Sequence, residues 1–262
     1  IYGILGTKLS EYLKEKNIII SGIGRVKNSL NSISQINFLS DLKKLILEFE
    51  PDVIVNLAAL TNVNECESNV NSAYLSNVKT SMDIVDSIGS KDIHLIYIST
   101  DQVYSGPGPH KEENVNPCNV YGLTKYAGEL ASLRTNSTII RTNYVGKSQI
   151  INRKSFTDWI VDSFKNNSEI TLFEDLIFNP VHSSFLCKMI ERVAVSKIKG
   201  VFNLGSKDHI NKASFAIKLA EGLGLKNTKY KLGRYNEQEK KVTRPYDMNM
   251  NISKFKETFQ VD

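Results

Sequence analysis

The sequence predicts a doubly wound α/β protein: a parallel sheet covered on both faces, with a smaller mixed α/β lobe toward the C-terminus. Three observations carry this. Short, near-continuous apolar runs at 18–20, 53–57, 93–98 and 138–141 alternate with amphipathic segments long enough to be helices. Strands that are apolar throughout suit a sheet buried on both sides, and the intervening helices supply the crossovers that parallel strands need. The run at 93–98 also ends in Ser99-Thr100-Asp101, which puts polar groups at a strand's carboxyl end, where such sheets bind ligands.

The elements follow in order. Residues 18–20 are strand-like, 41–50 helical, 53–57 a buried strand and 68–88 a long helix. Residues 93–98 form the next strand, a helix runs through Tyr121 to about 134, and 138–141 is again a strand. Beyond Gly146 the order loosens: helix at 155–165, strand at 170–173, helix at 183–195, strand at 201–204 and helix at 212–223. The tail, 230–262, is polar and basic. This divides the chain into a dinucleotide-binding part, 1–146, and a part that is mostly substrate lobe, 147–262, with some elements returning to the sheet. The opening residues resemble the end of a glycine-rich phosphate loop entering a helix. No strand precedes them, so a first strand of roughly ten residues is expected to be missing from the sequence as given.

Composition excludes several classes. No run approaches the length of a membrane span, and no basic-apolar-small leader opens the sequence. Cys66, Cys118 and Cys187 are few, odd in number and scattered, so they predict reduced structural thiols and a cytoplasmic location. The net charge of +5 comes from lysines that are scattered rather than striped, which disfavours a nucleic-acid partner. A homodimer is compatible with the sequence.

Tyr121 and Lys125 stand four residues apart on one predicted helical face. A nearby ammonium favours phenolate, so the pair is expected to lower the tyrosine pKa and make a proton donor usable near neutrality. Gly3 and Gly6 fit a loop whose glycines let backbone approach a pyrophosphate at a helix N-terminus. Ser21 to Lys27 lacks the acid that usually holds NAD ribose hydroxyls. Arg25, with Lys27, could instead meet a 2′-phosphate, which favours NADP over NAD against the alternative of a solvated basic turn. Small residues in Leu57-Ala58-Ala59-Leu60-Thr61 allow close passage of a flat cofactor, or simply helix–sheet packing. Asn77 could face the active centre or water. Glu65 and Glu67 read as solvated carboxylates at a helix entry, and no metal is expected.

These segments together resemble the extended short-chain dehydrogenase/reductase superfamily, and more closely its dTDP-4-dehydrorhamnose reductase family. The carrying motifs are Gly3-x-x-Gly6, Pro51 to Thr61, Ser99-Thr-Asp-Gln-Val-Tyr104, Asn119-Val-Tyr-Gly-Leu-Thr-Lys125, Arg141 to Gly146, and Arg244-Pro-Tyr-Asp247 near Ser253-Lys254. The resemblance implies a Rossmann-like, NADP-binding fold and NADPH-preferring reduction of a 4-keto group on a nucleotide-activated 6-deoxyhexose, within surface-polysaccharide biosynthesis. Tyr121 would protonate the carbonyl oxygen, Lys125 would hold the nicotinamide ribose, and Thr100 would hydrogen-bond the oxygen as charge develops. The cofactor would also meet Gly3, Ile4, Leu5, Gly6, Arg25, Leu57, Ala58, Ala59, Asn77 and Ser99. The nucleotide-sugar substrate would meet Thr61, Asp101, Val103, Tyr104, Asn143, Tyr144 and Arg244.

The chain departs from the family pattern at Phe178-Asn-Pro-Val-His-Ser-Ser184, where an expected acid is absent and His182 intervenes. Those residues are expected to decide the substrate, with no catalytic role for His182. A dehydratase would carry Asp-Glu after the threonine, whereas Gln102 follows Asp101. An epimerase would keep an acid at the second strand. A non-catalytic NADP-binding regulatory subunit would have no need of Thr100, Tyr121 and Lys125 together.

Overall fold

The apolar runs become strands where each finds a parallel neighbour. In chain order the first half holds helices α1 (Ile4–Glu15) and α2 (Phe38–Phe49), strand β1 (Val53–Asn56), helices α3 (Val63–Ser68), α4 (Val70–Tyr74) and α5 (Thr80–Ile88), strand β2 (His94–Thr100), helix α6 (Val120–Ser132) and strand β3 (Ser137–Thr142). The second half holds β4 (Tyr144–Val145), α7 (Phe156–Lys165), β5 (Ile170–Phe173), β6 (Ile177–Phe178) and β7 (Val181–His182). It continues with α8 (Ser183–Ser196), β8 (Gly200–Leu204), β9 (Ile210–Asn211), α9 (Lys212–Gly222), β10 (Tyr230–Gly233) and α10 (Ser253–Phe259). The structure, a computed structural model, describes residues 3–24, 38–150, 153–226, 228–235 and 242–261.

Among the described residues the main sheet has the order β1-β2-β3-β8, parallel throughout, with Val55 opposite Ile96, Tyr97 opposite Ile139 and Ile140 opposite Phe202. Helices cover both faces. On one side α1, α8 and α10 close over Ile96, Ile140, Leu186, Phe202 and Phe255; on the other, α2 and α5 close over Ile84, Ile88 and Leu95. Leu95, Ile96, Ile139 and Ile140 are fully buried. Each contributes roughly 1.5–3 kcal/mol of apolar transfer. The doubly wound parallel sheet is therefore as expected.

The C-terminal part divides its elements. A smaller apolar cluster gathers Ile160 and Phe164 of α7, Leu172 of β5 and Ala216 of α9, while β8, α8 and α10 return to the main sheet. Three two-stranded pieces, β10-β5, β4-β7 and β6-β9, complete this mixed region. No helix of the described residues is long and apolar enough to cross a membrane.

Three expectations change. Residues 18–20 form no strand: Ile19 is 84% exposed, and among the described residues β1 pairs only with β2. A strand exists only through its ladder, so apolar composition without a neighbour leaves it extended and unpaired. The single helix expected at 68–88 is a chain of short ones. Asn69 takes non-helical backbone angles and caps α4 by accepting from the Ser72 amide, and a π-helical turn at Leu75–Lys79 precedes α5. The polar tail conceals α10, whose Phe255 and Phe259, one turn apart, pack on Phe202 with ring centroids 6.2 and 5.1 Å away.

Candidate active site

Asn119 caps α6, its side-chain oxygen accepting from the Gly122 amide at 2.8 Å. The cap presses the first turn of α6 against the tight turn Asp101–Val103 that follows β2. A Cβ on Gly122 would lie 2.2 Å from the Gln102 carbonyl oxygen, so only glycine permits the approach. The contact sets Tyr121 and Thr100, both buried, close enough that Thr100 bears on the ionisation of the phenol. The tyrosine and threonine expected to share the chemistry are thus adjacent.

The charge pairing differs from expectation. Burial pushes the Tyr121 phenol well above its ordinary pKa; nearby Thr100 opposes this, while Asp101 reinforces it. Lys125 does not sit beside the phenol. Its ammonium donates to the Ile98 carbonyl at 2.8 Å and lies 4.0 Å over the Tyr97 ring. Burial lowers Lys125 to about 7, against the pull of the Glu129 carboxylate one helical turn on. The phenol therefore stays protonated at neutral pH, as a donor to a developing alkoxide must be.

Behind Lys125 lies a buried network. Glu129 pairs with Arg141 through contacts of 2.6, 3.0 and 3.1 Å and accepts the Ser99 hydroxyl. Arg141 also donates to the Tyr104 hydroxyl at 2.8 Å and the Glu112 carbonyl at 2.6 Å, and Tyr104 donates to Asn203 at 2.7 Å. Ser99 and Arg141 are register partners in β2 and β3, so both side chains leave the sheet on one face. Ser99, expected at the cofactor, therefore serves this ion pair. Val103 and Tyr104, expected at the substrate, are fully buried: Val103 packs with Met250, and Tyr104 stacks on His110 at 4.9 Å. The tight turn Asp101–Val103, rather than a continued strand, sends them inward.

On the cofactor side, Gly3 is the N-cap of α1, its first turn holds no acid, and a Cβ on Gly3 would meet nothing. The first-turn amides, including those of Ile4, Leu5 and Gly6, have no intrahelical partner. The Leu5 side chain itself belongs to the core, so only its backbone can meet a ligand. After β1, Asn56 accepts from the Ala58 amide at 3.0 Å, holding the small loop that carries Leu57, Ala58 and Ala59. Asn77 accepts from the Leu60 amide at 2.8 Å and donates to the Leu60 carbonyl at 3.2 Å and Thr124 at 3.0 Å. Its amide braces the loop rather than reaching a cofactor. Arg25 and Lys27 lie outside the described residues. An acid-free helix start, small residues after β1, and Tyr121 with Lys125 at the end of β2 fit a dinucleotide.

On the substrate side, the Asp101 carboxylate accepts from Asn143 at 2.6 Å and from Thr100 at 3.2 Å, and burial raises its pKa. Next to it, Gln102, Asn143, Leu176, Lys212, Arg244 and Met248 line a cavity of about 90 Å³. Arg244 reaches Asn64 at 3.4 Å, and Tyr144 on β4 is half-buried close enough to Tyr121 to affect it. Thr61 is exposed in the loop after β1. The segment expected to decide the substrate is largely framework. Phe178 is fully buried, Asn179 braces both backbone groups of Met250 at 3.1 Å, and His182 caps α8 by accepting from the Ser184 amide. Lys212, Gln102 and Glu129 were not anticipated. Lys212 follows a helix-capping Asn211, a signal for a helix start but not for a ligand.

Comparison with known proteins is consistent with this layout. The spore coat polysaccharide biosynthesis protein SpsK of Bacillus subtilis is 29% identical over 85% of this chain and 77% of its own length. The methionine adenosyltransferase 2 subunit beta of Bos taurus is 26% identical over 85% of this chain and 70% of its own. In structure, dTDP-4-dehydrorhamnose reductase from Bacillus anthracis, solved in complex with NADP, superposes with a TM-score of 0.86 over 98% of this chain and 90% of that one, at 24% identity. The model of the RmlD substrate binding domain matches residues 2–262, so the chain belongs to that family of the extended short-chain dehydrogenase/reductases.

Proposed function

We propose that this protein is an NADPH-dependent reductase of a 4-keto group on a nucleotide-activated 6-deoxyhexose. Membership of the family makes it a nicotinamide-dependent oxidoreductase. The observation that carries the finer reading is the pairing of buried Tyr121 and Thr100 where β2 ends and α6 begins, with burial holding the phenol protonated. A bound reduced nicotinamide would supply the hydride to the carbonyl carbon. The chain's own part is to place the carbonyl oxygen between Thr100 and Tyr121, which donate hydrogen bonds as negative charge grows. Tyr121 then delivers its proton, since an alkoxide is a stronger base than a phenolate. Lys125 would hold the nicotinamide ribose, while α1's first turn and the loop through Ala58 would hold the diphosphate and adenosine side. Asp101 and Asn143 would orient the sugar.

The proposal divides the chain at residue 146 into cofactor and substrate parts. It includes an NADPH preference, a cytoplasmic location, a homodimer, no nucleic-acid partner, and a place in deoxysugar or surface-polysaccharide synthesis resembling that of the dTDP-rhamnose enzymes. The regulatory-subunit reading has support in the likeness to the bovine subunit beta. Against it stands the placement of Thr100 beside Tyr121, which a scaffold does not need. The test is a panel of dTDP-, UDP- and GDP-4-keto sugars offered with NADPH or NADH and followed at 340 nm. Ketone-dependent NADPH oxidation with at least one sugar supports the reductase; none with any sugar rejects it.

A further inference from the structure

Lys212 is the group in this site that the reductase chemistry leaves without a task. It opens α9 and projects into the same cavity as Asn143, Gln102 and Arg244. Its ammonium lies 3.4 Å from the Phe178 ring centroid and 4.5 Å from that of Phe156. Among the described residues it forms no hydrogen bond or ion pair. Among the described residues Asp101 is the acid whose charge reaches it, and the Asp101 oxygens already accept from Thr100 and Asn143. Two aromatic faces hold a cation in place without neutralising it, leaving its three N–H donors for a ligand. Arg244 lines the same cavity close enough for its charge to be felt at Lys212. Among the described residues neither cation has an acid within ion-pair distance, and two cations beside one cavity repel each other unless an anion lies between them.

We propose that Lys212, caged by Phe156 and Phe178, and Arg244 together hold the sugar-proximal phosphate of the substrate, and that Lys212 sets the preference for nucleoside diphosphates over monophosphates. This rests on the reading of the site as one for a nucleotide sugar. A nucleoside diphosphate adds, relative to the monophosphate, one phosphoryl group on the sugar side. The cavity next to Asp101 and Thr100 is that side. Arg244 supplies a planar fork, and Lys212 a point charge whose direction the rings fix.

The test is calorimetric binding of dTDP, UDP and GDP, and of the matching monophosphates, to the NADP-loaded protein and its Lys212→Met and Lys212→Arg variants. Lys212→Met keeps the apolar stem against the rings and removes the charge. The expected result is a loss of about tenfold or more in diphosphate affinity, with monophosphate affinity changed by less than about twofold, and recovery in Lys212→Arg. Unchanged NADP affinity shows that the fold is intact. Equal losses for mono- and diphosphate, no loss, or no diphosphate binding by the wild-type protein would overturn the proposal. Charge-dependent diphosphate binding in a protein that reduces no ketone would leave Lys212's role standing and reject the reductase, so the two failures are distinct.

Discussion

Replacing Glu129 by Gln probes whether the buried network behind Lys125 holds the site together. Glu129 is 0% and Arg141 2% exposed, with three contacts of 2.6–3.1 Å between them. Gln keeps one acceptor oxygen for Ser99 or Arg141 but leaves the guanidinium charge uncompensated in the core. Removing one partner of such a pair costs roughly 3–5 kcal/mol, and the retained acceptor places this variant near the lower end. For a chain of this size about 2–4 °C is lost per kcal/mol, so the melting temperature should fall by roughly 6–12 °C. The substitution also removes the charge that keeps Lys125 from falling further below its ordinary pKa. Thermal melts by circular dichroism, at equal cofactor concentration, read the first effect. The double variant Glu129→Met/Arg141→Met removes both charges and should recover more than half of the loss, because the penalty comes from the unpaired charge. A drop of less than about 2 °C in Glu129→Gln, or a double variant no better than the single, would refute this reasoning.

Two further outcomes follow from the same geometry. Gly122→Ala must push α6 away from the Gln102 carbonyl, which a Cβ would approach to 2.2 Å. Turnover should fall about a hundredfold, because about 1 Å of misplacement at a reacting pair is enough for that, with cofactor affinity nearly kept; wild-type turnover would contradict the packing argument. Lys125, lowered to about 7 by burial, is mostly neutral at pH 8 in the free protein. Ribose hydroxyls that accept from it favour the ammonium and raise its pKa, so NADP binding at pH 8 should take up protons. Calorimetry in two buffers of different ionisation enthalpy measures this; no buffer dependence would count against Lys125 as the ribose holder.

Much of this was legible in the sequence, and the reasons are local. The strands at 53–57, 93–98, 138–141 and 201–204 are short, mostly apolar and separated by amphipathic segments, a pattern that suits a parallel sheet covered on both faces. Thr100 and Tyr121 were legible because a strand end and a helix start have fixed positions in such a sheet. What stayed hidden depends on direction or distance. Spacing alone placed Lys125 beside the phenol, but its long stem turns to the Ile98 carbonyl. Tyr104 looks like a strand-end ligand group until the turn at Asp101–Val103 sends it toward Arg141. Lys212 stands 111 residues beyond Asp101, and no periodicity announces that pairing. Residues 18–20 had strand composition without a neighbour to pair with.

The central claim is that a protonated Tyr121 beside Thr100 donates the proton that completes ketone reduction. Its most direct test is Tyr121→Phe in single-turnover NADPH oxidation, with the best 4-keto sugar from the panel and cofactor affinity measured in parallel. Turnover should fall by about 10²–10⁴, the usual contribution of a positioned general acid, while NADPH affinity stays within about twofold of wild type. A Tyr121→Phe protein that oxidises NADPH at near the wild-type rate would contradict the account.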